Sequence, residues 1–303
     1  MSSFSVGDQR VYLADASKML EFIKPESVQL MVTSPPYWNV KDYGDPSQIG
    51  FGQSYEAFIQ SLNSVWEKCN QVLKPNGKIA VVTQPIPVSS KQTGLGRSSI
   101  LDIMTDVHSA MRTLEMDLSN IFIWDKRKYN NQRIFGSYPY PPNFFSHLSF
   151  EFICVFRKRG KTESRTKDEK EESKVTMEEW SDWCFNSIWD IPPKIKINSR
   201  GSNILGHIAP FPEEIPYRLI RLFTFKGDVV LDPFLGSGTT LQVCRITQRR
   251  GIGFEIVKEY ADLIKRRISE DWTPPGLETA EKWNTAKKEP SSTLEQFLKT
   301  EKI

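Results

Sequence analysis

The run Val28-Gln-Leu-Met-Val-Thr-Ser-Pro-Pro-Tyr37 ends an apolar stretch on a hydroxyl, two prolines and an aromatic ring. A nearly continuous apolar run is what a strand buried on both faces of a parallel sheet requires. Pro35 and Pro36 cannot donate to a sheet ladder, so they stop the strand in a stiff corner. Open α/β sheets bind ligands at the carboxyl ends of their strands. There the Ser34 hydroxyl and the Ser34 and Pro35 carbonyls accept hydrogen bonds, and Tyr37 offers a flat face. Acceptors beside a stacking plane suit a heteroaromatic ring that carries an amino group. An ordinary Pro-Pro turn has the same letters, so the motif needs company.

That company is the stretch Asp232-Pro233-Phe234-Leu-Gly236-Ser237-Gly238-Thr239-Thr240. Gly236 and Gly238 let the backbone approach a ligand, and Thr239 and Thr240 open a helix whose first N–H groups face the site. Glu255 closes the next apolar run roughly 20 residues on, where nucleotide folds place an acid against ribose hydroxyls. The turn lacks the Gly-Lys-Ser/Thr ending of a phosphate loop and the full dinucleotide fingerprint. Asp232 repels a polyphosphate and favours a cationic end such as that of an amino acid. A nucleoside joined to an amino acid satisfies both acids, and S-adenosyl-L-methionine is that molecule. Phe211, between Pro210 and Pro212, is placed to pack on its methionine arm. His207 is given no chemical role.

Several elements must position these residues. A short strand at 11–14 ends on Asp15, a helix at 16–24 buries Met19, Leu20 and Ile23, and the strand 28–33 follows. That is a βαβ unit with a right-handed crossover. The loop 38–52 is long enough to act as a lid. Ser54 caps a helix whose Phe58, Leu62, Val65, Trp66, Cys69, Val72 and Leu73 keep helical spacing, and Lys74-Pro-Asn-Gly77 ends it. Strands are predicted at 78–83, 120–124, 150–156, 226–232 and 251–255, with a helix over 100–114.

The bulk numbers leave room for one large α/β domain with an insert: 303 residues, 25% charged, net charge +3. Cys69, Cys154, Cys184 and Cys244 form no CxxC pair, so no metal site or disulfide framework is expected. No signal pattern opens the chain and no run is long enough to span a membrane. A cytoplasmic protein acting at the nucleoid is the expectation. Residues 157–174 are dense in charge without an apolar anchor and read as a solvated linker. Basic residues interleave with aromatics at Lys126, Arg127, Lys128 and the segment 135–145, and again at Lys194, Lys196 and Arg200. Lys91 and Arg97 punctuate a Pro/Ser/Gly-rich loop. Such interleaving suits nucleic acid with an unstacked base, and equally suits a surface hairpin and loops.

Together, Thr33-Ser-Pro-Pro-Tyr37, His207-Ile-Ala-Pro-Phe-Pro212, Asp232 to Thr240 and Gly251-Ile-Gly-Phe-Glu255 resemble the amino-group DNA methyltransferases of the beta order, catalytic corner first and cofactor turn last. Asp15, Lys74-Pro-Asn-Gly77 and the strand from Phe150 extend the likeness over about residues 10–270. The resemblance implies a Rossmann-like α/β methyltransferase fold with a seven-stranded, mostly parallel sheet. Its units would be a catalytic half at 1–158, a variable linker and target-recognition insert at 159–204, a cofactor half at 205–272 and a polar tail at 273–303. It implies S-adenosyl-L-methionine as cofactor, with Asp15 on adenine, Glu255 on ribose, and Asp232 to Thr240 with Phe211 on the methionine portion. It implies catalysis by Ser34, Pro35, Pro36 and Tyr37 on a base flipped from double-stranded DNA. Serine at the first corner position is typical of cytosine-N4 members and puts adenine-N6 second; RNA and protein-amide substrates come after these. A restriction-modification setting, with a homodimer and a cognate restriction endonuclease as partners, also follows from the likeness. Carbon-5 methylation is disfavoured, since no cysteine follows a proline.

Overall fold

Parallel strands joined by helical crossovers all end on the same edge of their sheet, and this chain uses that edge for its corner and turn. The computed structural model describes residues 2–40, 42, 44–90, 98–129, 135–136, 139–140, 144–146, 148–194 and 211–275. β1 (Ser2–Val6) and β2 (Gln9–Leu13) form a hairpin, and β3 (Val28–Thr33) runs into the Ser34 corner. Helix α1 (Tyr55–Val72) leads directly into β4 (Leu73–Thr83). β5 (Ile86–Val88) pairs with β6 (Ser99–Leu101) ahead of helix α2 (Ile103–Thr113) and β7 (Met116–Asp125). β8 (Phe135–Gly136) pairs with β9 (Phe144–Phe145), and β10 (Phe150–Lys158) follows. Then come α3 (Lys167–Ser173), α4 (Met177–Trp180) and β11 (Ile188–Asp190). The last part holds α5 (Glu214–Phe223), β12 (Val229–Asp232), α6 (Thr239–Ile246), β13 (Arg250–Glu255) and α7 (Ala261–Ser269).

The main sheet has the order β1-β2-β13-β12-β3-β4-β10-β7-β11. The seven expected strands form its body, and the short edges β1 and β11 widen it. β10 runs antiparallel to both its neighbours, while β2, β13, β12, β3 and β4 are mutually parallel. Strands 28–33 and 229–232 are therefore neighbours although about two hundred residues separate them. The chain to Asp271 is one compact unit; a second begins at Trp272, of which residues 272–275 are described. Among the described residues no helix is long and apolar enough to cross a membrane.

The apolar stripe of α1 buries Phe58, Leu62, Val65, Trp66, Cys69 and Val72 against one face of the sheet. The Ser54 hydroxyl accepts from the Ala57 N–H at 3.2 Å, as an N-cap does. On the other face α6 and α7 pack Leu241, Ile264 and Ile268 against Val11 and Leu13.

Three local expectations change. The segment 16–24 is a 3-10 turn over Ala16–Glu21, capped by Asp15 through the Ser17 N–H, that buries Met19 and Ile23 but leaves Leu20 exposed; the strands it joins, β2 and β3, are not the adjacent pair expected, because β13 and β12 lie between them. Lys74-Pro-Asn-Gly77 does not separate helix from strand: β4 starts at Leu73 and absorbs the irregularity as a bulge, with Asn76 in the left-handed region. The predicted helix 100–114 starts at Ile103, since Ser99–Leu101 pairs as a strand.

The charged run 157–174 is anchored where a free linker was expected. Arg165 bonds Asp228 at 2.6 Å and lies over the Phe225 ring, Lys74 pairs Glu163 at 2.8 Å, and the Ser173 hydroxyl accepts the Lys226 N–H. Its partners sit on the loop from α5 to β12 and at the start of β4, at the amino-terminal edge of the sheet, which composition cannot reveal.

Gly251 sits where β13 meets α6. A Cβ there would lie 2.3 Å from the Gln9 amide oxygen and 2.7 Å from Leu241 Cγ. Gly251→Ala is expected to lower stability by about 1–3 kcal/mol through overpacking. Urea unfolding of the variant beside the native protein measures the packing effect.

Candidate active site

Four adjacent parallel strands, β2, β13, β12 and β3, each deliver a polar residue at their carboxyl end: Asp15, Glu255, Asp232 and Ser34. They open into one cavity of about 260 Å³. The sequence-identified residues Asp15, Ser34, Pro35, Pro36, Tyr37, Phe211, Asp232, Pro233, Phe234, Gly236, Ser237, Thr239 and Glu255 all border it.

Asp232 is almost fully buried. Thr33 donates to Oδ1 at 2.7 Å, the Phe234 N–H to the same oxygen at 3.1 Å, and Thr240 to Oδ2 at 2.6 Å. Burial pushes this carboxyl up to about 6, against the pull of those donors. Glu255 is likewise pushed up to about 7, by burial and by the nearby Asp232. Its Oε2 accepts the Gly236 N–H and its Oε1 the Val257 N–H, each at 2.8 Å. The acid at the end of β13 thus ties down the glycine turn after β12. Gly236 and Gly238 both take positive φ, which glycine adopts without strain. Asp15 Oδ1 accepts the Ser17 N–H at 2.7 Å.

Gly238 and Thr240 do not border the cavity. Gly238 is the left-handed N-cap of α6, and Thr240 is wholly buried and bonded to Asp232. Both shape the turn from behind.

At the corner the Ser34 hydroxyl lies 3.3 Å from the Tyr37 hydroxyl, which donates to Glu151 Oε2 at 3.2 Å. The other oxygen of Glu151 accepts Lys126 Nζ at 2.6 Å.

In the comparison with family models, residues 28–266 match the DNA methylase model for N6- and N4-type enzymes. The chain belongs to the DNA methylase family. Among its relatives, the type II methyltransferase M.MjaI of Methanocaldococcus jannaschii is 32% identical over 86% of this chain and 91% of its own. M.MthZI of Methanothermobacter thermautotrophicus is 28% identical over 86% of this chain and 76% of its own. Among solved structures, a DNA modification methylase candidate from Thermus thermophilus, in complex with S-adenosyl-L-methionine, superposes with a TM-score of 0.67 at 34% identity, covering 86% of this chain and 94% of its own. The cytosine-N4-specific PvuII DNA methyltransferase shares the fold, with a TM-score of 0.58 at 20% identity over 91% of each chain. The fold is thus the Rossmann-like α/β fold of S-adenosylmethionine-dependent methyltransferases.

The basic residues of this methylase divide. Lys126 is buried on Glu151 and over the Trp124 ring, so it is no open phosphate contact; the strand end that carries it turns inward. Lys194 is half-buried against Glu213, which Arg267 also contacts, and burial lowers its ammonium to about 8. Arg127 and Lys128 are exposed, paired with Asp125 and Asp190. Lys91, Arg97, Lys196, Arg200 and His207 lie outside the described residues. Tyr140 and Phe144 expose most of their surface.

Ser47, Gln48, Ile49 and Tyr260 border the methylase cavity without having been identified from sequence. The loop residues carry no motif. Glu151 had a readable signal, a lone acid opening the apolar strand Phe150–Lys158, since a buried acid requires a partner.

Thr240→Val keeps the shape and removes the donor to Asp232. The hydroxyl favours the ionised form, so its loss raises Asp232 further. At pH 8 the variant is expected to lose about 1.5–3 kcal/mol. Below the value of about 6 for Asp232 the loss shrinks, and urea unfolding at pH 8 and pH 5 measures the difference.

Proposed function

We propose that this DNA methylase binds S-adenosyl-L-methionine in the cavity and methylates the exocyclic N4 amine of a cytosine flipped out of duplex DNA. One observation carries the reading: the Ser34-Pro35-Pro36-Tyr37 corner opens into the same cavity as Asp15, Asp232 and Glu255. When bound, the cofactor supplies an electrophilic methyl group on a sulfonium. Its chemistry suits this lining, which offers carboxylates for an ammonium and for ribose hydroxyls, with Phe211 and Phe234 as apolar walls. Glu255 would hold the ribose, Asp15 the adenine amine, and Phe211 with the turn 232–240 the methionine portion.

A ring amine is a poor nucleophile because its lone pair is delocalised. Ser34 Oγ and the Pro35 carbonyl accept its two N–H bonds, draw the nitrogen toward a tetrahedral shape and free the lone pair. Tyr37 stacks on the extruded base, whose amine is out of reach inside the duplex. Positioning and preorganised dipoles supply the acceleration. The likeness of a serine-first corner to cytosine-N4 methyltransferases supports N4 over adenine N6. The exposed Arg127 and Lys128, with Tyr140 and Phe144, support a nucleic-acid face beyond the corner. In this reading residues 1–158 and 205–272 are the catalytic and cofactor halves, 159–204 the variable linker and target-recognition insert, with its part up to Ser173 serving as linker on the edge opposite the corner, and 273–303 a tail. The type II names of the relatives support a restriction-modification setting; a cytoplasmic location, a homodimer and a cognate endonuclease enter this reading through the family likeness alone.

Methyl transfer from labelled S-adenosylmethionine to unmethylated duplex DNA, followed by nucleoside mass spectrometry, is expected to give N4-methylcytosine. Ser34→Ala should lower kcat by about 10²–10³ while cofactor affinity stays within about threefold, a factor below 1 kcal/mol. N6-methyladenine would overturn the choice of base.

The pH dependence follows from the raised carboxyls. A cationic, hydroxyl-bearing ligand favours ionised Asp232 and Glu255, so binding releases protons. Affinity is expected to be highest above pH 7 and to fall as pH drops through about 7 and then about 6. Calorimetry in two buffers of different ionisation enthalpy detects the protons released, and a flat affinity from pH 8 to pH 5 would sink this assignment.

A further inference from the structure

Behind the corner lies a chain of four side chains: Lys126, Glu151, Tyr37 and Ser34. Lys126 Nζ donates to Glu151 Oε1 at 2.6 Å, Tyr37 donates to Glu151 Oε2 at 3.2 Å, and the Tyr37 and Ser34 hydroxyls are 3.3 Å apart. Both charged members are about nine-tenths buried, their side chains 11% and 12% exposed. Strand register places them: Glu151 on β10 stands opposite Trp124 on β7, and Lys126 follows the end of β7 with its N–H on the Ser149 carbonyl. The Trp124 ring lies under the ammonium, 4.9 Å away.

Among these four side chains one direction satisfies every donor and acceptor. An ammonium only donates and a carboxylate only accepts, so the Tyr37 hydrogen points at Glu151. The Tyr37 oxygen is then left to accept, and the hydrogen of Ser34 turns to it. The lone pairs of Ser34 consequently face the cavity. Building on the base-amine reading above, we infer that Lys126 and Glu151 are positioning residues that fix the Ser34 hydroxyl as an acceptor, and so select a base with an amine over one with a carbonyl at that position. A serine whose hydrogen were free to rotate would serve either group. Lys126, which its sequence context suggests as a DNA contact, acts here from the protein side.

Glu151→Gln tests the direction. Lys126 holds the amide oxygen, so the amide NH₂ meets Tyr37 and donates to it. The Tyr37 hydrogen swings to Ser34, and the Ser34 hydrogen points into the cavity, against an amine. The expected result is a fall in kcat of about 100-fold, with cofactor affinity and melting temperature near those of the native protein. Lys126→Met in the same chain frees the amide to turn its oxygen to Tyr37. The double variant should recover at least about tenfold of the loss, a change of 1.4 kcal/mol. A second readout needs no turnover. For duplexes carrying uracil or cytosine at the mapped target, the uracil-to-cytosine affinity ratio should rise at least about tenfold in Glu151→Gln, because Ser34 now donates to the carbonyl. A kcat within threefold of native, a double variant no faster than the single one, or an unchanged affinity ratio overturns the inference. Absence of DNA methylation by the native protein would instead overturn the reading on which it rests.

Discussion

The Asp232 carboxylate, buried between Thr33, Thr240 and the Phe234 N–H, joins parts of the chain that sequence holds far apart. Thr33 ends β3, immediately before the Ser34 corner, and Thr240 stands in the first turn of α6. A buried carboxyl is expensive unless it is hydrogen-bonded, and these three donors make its position tolerable. In return the corner and the glycine turn are held in fixed relation. Glu255 repeats the device one strand over by clamping the Gly236 N–H. Two acids that line the cavity are thus also the braces that shape it, and the burial that makes them good braces raises both of them.

The parallel strands supply the remaining geometry. Four neighbouring carboxyl ends converge on the cavity, while the amino-terminal edge takes the charged segment that carries Arg165 and Ser173. Arg165 reaches Asp228 at the start of β12, and Asp232 stands at its end. The two edges differ: the amino-terminal one is tied by ion pairs such as Arg165–Asp228, and the carboxyl one gathers the acids and the Ser34 hydroxyl that border the cavity.

Much of the site was legible because it is local. Ser34 to Tyr37 and Asp232 to Thr240 are contiguous, and their types dictate a stiff corner and a close-approach turn. The long apolar stripe of α1 and the seven strands of the sheet body announce themselves by period and length. The edge strands β1 and β11 were missed because they are short and largely exposed, so they carry little hydrophobic pattern. Gly238 and Thr240 belong to the turn in sequence, yet their contacts put them behind it.

Sequence alone determined the positions of the strands that carry the site, the order of corner and turn, and the acids that discourage a polyphosphate, because each depends on residue type and short spacing. Tertiary structure alone decided which of the described basic residues are buried and which groups hold the two acids. It also joined Lys126 and Glu151 to Tyr37 and Ser34. Those facts depend on register between strands distant in the chain, and a hydrogen bond across that distance leaves no mark in the local order of residues.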